Sequence, residues 1–207
     1  MPTIAIVTLE GFNEIDSFVA STMLSRVRLP EWTVAIACPA ATVTSMNGVT
    51  VHAQMALSDL PTADAVILGS GMRTRDYAAD PAFLAALHLD PTQQIVGSQC
   101  SGALLLARLG LLADVPVCTD LITKPWVVEA GAHVVDQPFF ARGNIATAGG
   151  CLSSQYLAAW VIARLGTREA AREALFYVAP VGEKQEYVDR AMTHVDAYLP
   201  VPAPLPV

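Results

Sequence analysis

Short apolar, β-branched runs alternate along this chain with longer segments of helical periodicity. That alternation predicts a mostly parallel sheet with helices on both faces. Strands are expected over 4–9, 32–38, 65–68, 94–99, 115–119, around 133–136 and over 145–148. Helices are expected from about 14 to 28, then over 80–89, 101–109, 124–130, 151–165, 167–178 and 184–198. Pro81 suits the first turn of its helix, and Gly166 suits the end of another. Asn47-Gly48 lies between apolar alternations, so 42–53 reads as a small β-hairpin beside the main sheet. One domain over 1–198, followed by a Pro-rich tail over 199–207, accounts for the length.

The segment QIVGSQCSGALLLARLGLL, starting at Gln94, adds chemistry to this pattern. A short apolar strand ends at Cys100 and a helix begins at Ser101, the layout of a nucleophile elbow. Such a turn projects the thiol above the carboxyl end of the sheet. The helix start aims unpaired N–H groups and a partial positive charge at it, so the Cys100 pKa is expected to fall below about 8.5. A buried structural cysteine is the plainer alternative, outweighed here by the strand-Cys-Ser-Gly-helix context.

Two other loops converge on the same sheet edge. The first carries Glu10, Glu14 and Asp16. Glu14 reads best as an acidic helix start complementing the macrodipole. Asp16 lies inside the apolar run 15–24, where a carboxylate needs a partner, so it is the candidate general acid or base. The second loop is Gly69-Ser70-Gly71, whose amides, with that of Ser101, suit an oxyanion hole. The alternative is an ordinary turn. As a dinucleotide fingerprint it lacks the third glycine. Arg73, Tyr77 and Trp126 fall near the expected cleft and are candidates for shaping a substrate site.

Composition narrows the function classes. Lys plus Arg number 12 against 19 Asp plus Glu, a formal charge of −7 without a basic stripe, which argues against nucleic-acid binding. The chain is 53% hydrophobic, yet no apolar run reaches membrane-spanning length without a charge or turn signal. The first residues lack a basic secretory segment, so a cytoplasmic location is expected. Cysteines 38, 100, 118 and 151 show no CxxC spacing, which argues for free thiols and against a metal site. The histidines at 52, 88, 133 and 194 read as surface or structural. Cys118 reads as a core thiol, and Cys151 as a helix-opening residue that packs or lines a subunit contact.

Four segments together resemble the ThiJ/PfpI superfamily: the first-strand loop with its acid, LGSG, QCSGALLLARLGLL and IATAGGCLSSQYLAAWVIARLG. The resemblance implies a flavodoxin-like three-layer α/β sandwich, similar to class I glutamine amidotransferases, for nearly all of the chain up to about residue 165. It implies Cys100 as nucleophile or reactive thiol, Asp16 as its acidic partner, and the amides of Gly71 and Ser101 as oxyanion donors. The aspartate and the CSGA elbow are most similar to isocyanide hydratases and to amidase-like domains of transcription regulators, where Ser101 would help hold the thiolate or a water. Peptidase-like members carry a histidine where this chain has Asp120, in Val117-Cys118-Thr119-Asp120, so proteolysis is not expected. Asp120 joins the substrate-site candidates instead. The leading expectation is a cysteine-dependent hydratase or hydrolase of small molecules, without cofactor or metal, forming a homodimer. The alternative is a redox-sensing or ligand-binding protein whose Cys100 is oxidised.

Overall fold

The structure is a computed structural model and describes residues 2–200. The strands are β1 (Thr3–Val7), β2 (Thr33–Cys38), β3 (Thr42–Thr44), β4 (Thr50–His52), β5 (Met55–Ala56), β6 (Ala65–Leu68), β7 (Ile95–Gln99), β8 (Phe139–Arg142) and β9 (Ile145–Ala148). Seven of them form one sheet in the order β5-β2-β1-β6-β7-β9-β8, parallel throughout except for the β8–β9 pair. β3 and β4 form the separate antiparallel hairpin expected around Asn47-Gly48. The helices are α1 (Glu14–Leu24), α2 (Thr74–Ala78), α3 (Pro81–Ala86), α4 (Gly102–Arg108), α5 (Lys124–Glu129), α6 (Ser154–Leu165), α7 (Arg168–Val178) and α8 (Lys184–Asp196). Among the described residues, no helix is long and apolar enough to cross a membrane.

The two-residue period of a strand sorts side chains onto two cores. Ile4, Ile6, Ala65 and Ile67 face Met23, Leu157, Trp160 and Leu175 from α1, α6 and α7. Ala5, Val7, Val66 and Leu68 face Leu104, Leu105, Val127 and Phe83 from α3, α4 and α5. Strands buried on both faces read as unbroken apolar runs, which is why β1 and β6 are plain in the sequence.

Several expectations are corrected. The first helix stops at Leu24 instead of continuing to residue 28, because Ser25 caps it and the following amides turn back onto Met23 and Leu24. The stretches 115–119 and 133–136 are not strands. Val117 and Val134 make one parallel bridge, and the next amide, Cys118 N–H, goes to Thr147 Oγ1. The missing edge strand is β8, joined to β9 by Gly143-Asn144, with Gly143 at φ 60°. That dipeptide between FFAR and IATA was a hairpin signal in plain view. β5 and α2 have no counterpart among the expected elements. Of the Pro-rich tail expected over 199–207, residues 201–207 lie outside the described residues.

Candidate active site

The elbow forms as its sequence suggests. Cys100 follows β7 at φ 44°, one of three non-glycine residues with positive φ among the described residues, and its N–H donates to Ala148 O at 2.8 Å. Such a conformation is disfavoured and persists only where surrounding contacts impose it. Gly102 is one of those contacts. A Cβ there would lie 2.5 Å from Leu68 O and 2.8 Å from Gly69 O, so only glycine lets α4 start against the end of β6.

Asp16 reaches the thiol from the first turn of α1. Asn13 caps that helix, accepting from Ile15 N–H at 3.0 Å, and its own N–H donates to Ser70 O at 2.8 Å. The two loops are thereby fixed together and the Asp16 side chain is left with 0% exposure. Ser70 Oγ donates to Asp16 Oδ2 at 2.5 Å. The carboxylate, Cys100 Sγ and Cys151 Sγ all lie within 4.8 Å of one another. The other acids of the loop serve the hairpin instead. Glu10 accepts from Thr44 N–H at 2.9 Å, and Glu14 accepts from Ser45 Oγ and from Asn47 Nδ2, bonds that lower its pKa.

Electrostatics at the pair differ from the expectation. Burial raises Asp16 to about 6, against the opposing hydrogen bonds from Ser70 and Cys100. Cys100 is pushed upward, not downward: burial is the largest cause, followed by the negative charges of Asp16, Cys151 and Asp120. Magnitudes explain the reversal. A helix terminus is worth about 0.3–1 kcal/mol, under one pKa unit, whereas burial moves a group by up to about 3–5 units. Cys100 and Asp16 titrate as a pair that shares protons, rather than as an isolated thiolate.

Ser101 and Gly71 meet, though in another arrangement than expected. Gly71 N–H donates to Ser101 Oγ at 3.1 Å, and Ser101 Oγ shares a 2.9 Å hydrogen bond with Thr74 Oγ1. The Gly71 amide is therefore already engaged. Gly71 is needed for the close approach of the loops, since a Cβ would fall 2.5 Å from Gly11 O. Among the described residues, the N–H groups of Ser101 and Gly102 have no hydrogen-bond acceptor and stand free at the elbow.

A cavity of about 400 Å³ opens over the thiol, with Met46, Met72, Leu104, Ile122 and Trp126 supplying apolar walls. Arg75 lies over the Trp126 ring, 4.6 Å from its centroid, and with Asp120 brings opposite charges to the lining. Asp120 also accepts from Ile122 and Thr123 N–H, both at 2.9 Å, shaping the turn into α5. Arg73 and Tyr77 are not part of this lining. Arg73 pairs with Asp76 at the surface, while the Tyr77 ring packs on Phe83 and its hydroxyl accepts from Glu10 N–H at 3.4 Å. Nothing in the sequence marked Thr74 and Arg75 as the residues of this segment that reach the lining. Asn13 and Cys151 were also missed. Asn13 Nδ2 donates to Cys151 Sγ at 3.1 Å, and only the Asn13 cap had left a sequence signal.

Asp16, Cys100 and Cys151 lie close enough together to form a donor set for a thiophilic divalent ion. Sequence spacing gave no sign of it, because the three residues come from separate loops.

Comparison with known proteins agrees with this architecture. The sequence model of the DJ-1/PfpI family matches residues 2–164. No curated protein matches the chain. A cysteine-to-alanine mutant of the DJ-1 superfamily protein STM1931 from Salmonella typhimurium is similar in structure, with 25% identity over 86% of this chain and 98% of its own, at a TM-score of 0.74. Drosophila melanogaster DJ-1beta is 18% identical over 86% of this chain and 99% of its own, at 0.75. A ThiJ/PfpI family protein from Pseudomonas syringae is 17% identical over 94% and 88%, also at 0.75. The two lower identities speak to fold alone, but the match over most of the sequence places this chain in the DJ-1/PfpI family.

Proposed function

We propose that the chain is a cysteine-dependent hydratase or hydrolase of a small, largely apolar electrophile, isocyanide hydratase-like or amidase-like in its chemistry. The observation that supports this best is the buried Asp16 carboxylate beside the Cys100 thiol, at the floor of a mainly apolar cavity of about 400 Å³. That size suits a small organic molecule. Above pH 6 Asp16 is ionised and Cys100 holds its proton, so the carboxylate acts first as base. It takes the thiol proton as Sγ attacks the electrophilic carbon, then returns that proton to the same carbon of an isocyanide or to the leaving nitrogen of an amide. For an isocyanide this gives a thioimidate. Water adds to its carbon, and collapse expels the thiolate and leaves an N-substituted formamide. For an amide the adduct expels the amine with that proton and leaves a thioester, which water hydrolyses to the acid and the free thiol. The Ser101 amide, on the cavity lining, is the donor available to the developing charge, and Gly71 joins it only if the Ser101 hydroxyl turns away.

Turnover of a panel of isocyanides, amides and aldehydes tests the reading. The expected result is hydration or hydrolysis of at least one class, with an ascending pH limb near 6 from Asp16. Asp16→Asn should fold normally and lose about 10²–10³-fold in turnover. Undiminished turnover in Asp16→Asn, or no turnover of any class, would overturn it.

A further inference from the structure

The mechanism above uses one cysteine of the site and leaves the second without a task. Cys151 opens a short helical turn after Gly150, which has φ 89°, and it is the one cysteine that is not fully buried. Its sulfur and that of Cys100 are no more than 4.8 Å apart and both line the same cavity. Asn13 Nδ2 donates to the Cys151 sulfur at 3.1 Å and fixes its position. The remaining cysteines lie elsewhere. Cys38 shares a 3.2 Å contact with Thr8 Oγ1, and Cys118 is enclosed with 0% exposure.

We infer that Cys151 is the resolving thiol of a reversible redox couple, closing a disulfide with Cys100 when the site meets a hydroperoxide. Sulfur atoms in a disulfide are about 2.05 Å apart, and these two start no more than 4.8 Å apart, so closing the bond needs an approach of under about 3 Å. Asp16 takes the Cys100 proton, and Sγ attacks the near oxygen of the hydroperoxide. The O–O bond breaks, the alcohol or water leaves with the proton from Asp16, and Cys100 carries a sulfenic acid. Cys151 then attacks that sulfur, an S–S bond forms, and the hydroxyl departs as water with the Cys151 proton. Two thiols have supplied two electrons to one peroxide, and an external dithiol restores them. The disulfide withdraws the nucleophile from its substrate and intercepts the sulfenic acid before irreversible oxidation. The inference concerns the same thiol as the proposed reaction but does not depend on hydration or hydrolysis.

The experiment needs no substrate. Full-length protein is titrated with cumene hydroperoxide, and peptides are mapped by mass spectrometry with and without a dithiol. The wild type should yield a dithiol-reversible Cys100–Cys151 crosslink. Cys151→Ser, verified as folded by its melting transition, should instead accumulate Cys100 sulfinic acid at about tenfold or more above wild type. A wild type that passes to sulfinic acid with Cys151 still free, that crosslinks through Cys38 or Cys118, or that leaves Cys100 unoxidised would overturn the inference. Because the readout is mass, its failure is distinct from the failure of the proposed turnover.

Discussion

Cys100 and Cys118 are both buried, both lie near the carboxyl end of the sheet, and both have raised pKa values. Their surroundings separate them. Cys118 is pushed to about 12 by burial, with its backbone tied to Thr147 and no acid beside its sulfur. Cys100 is held at φ 44° over a cavity, with a carboxylate in reach that is itself pushed up to about 6. Burial alone makes an inert thiol. Burial shared with an acid makes a proton couple, because the low dielectric that disfavours each charge also makes their exchange of one proton inexpensive.

The largest effect should fall on that difference. Cys100→Ala is expected to remove turnover by about 10⁴-fold or more, whereas Cys118→Ala should leave turnover within a few-fold and cost about 1 kcal/mol of stability. Assays of both variants beside their melting curves check this. Comparable losses of turnover would erase the contrast between the two thiols.

A smaller effect concerns stability. Asp16 has a folded pKa of about 6 against 3.8 for an ordinary aspartate, so the folded state holds this proton more tightly than the unfolded chain. Its contribution is fully present below about pH 4 and is lost as pH rises through 6. A shift of roughly two units corresponds to at most about 3 kcal/mol. Asp16→Asn should therefore match wild type near pH 4 and become more stable above pH 7, as denaturant titrations at both values would show. A difference that does not change with pH would mean the carboxyl is not protonated by burial.

The nucleophile was legible because it is a local feature: the strand, the Cys-Ser-Gly turn and the apolar helix are consecutive, and Gly102 is fixed by backbone contact with Leu68. Asp16 was legible because an acid amid 15–24 violates the apolar pattern. Asn13 with Cys151 was not, since that contact spans 138 positions and depends on where two loops close. β8 was not legible because its four residues, Phe139–Arg142, are too short to show a strand period, although Gly143-Asn144 marked the hairpin. The direction of the Cys100 shift was misjudged for a different reason. The helix terminus can be read from sequence, but the degree of burial cannot.

The most direct test of the couple is the pH dependence of Cys100 alkylation by iodoacetamide, followed at that residue by mass spectrometry in wild type and Asp16→Asn. Reactivity in wild type should rise with a midpoint near 6, where the pair loses its first proton. Asp16→Asn should lose that limb and react only at the higher pH of a lone buried thiol. A single limb above pH 8 in wild type, unchanged by the substitution, would contradict the shared proton and the mechanism built on it.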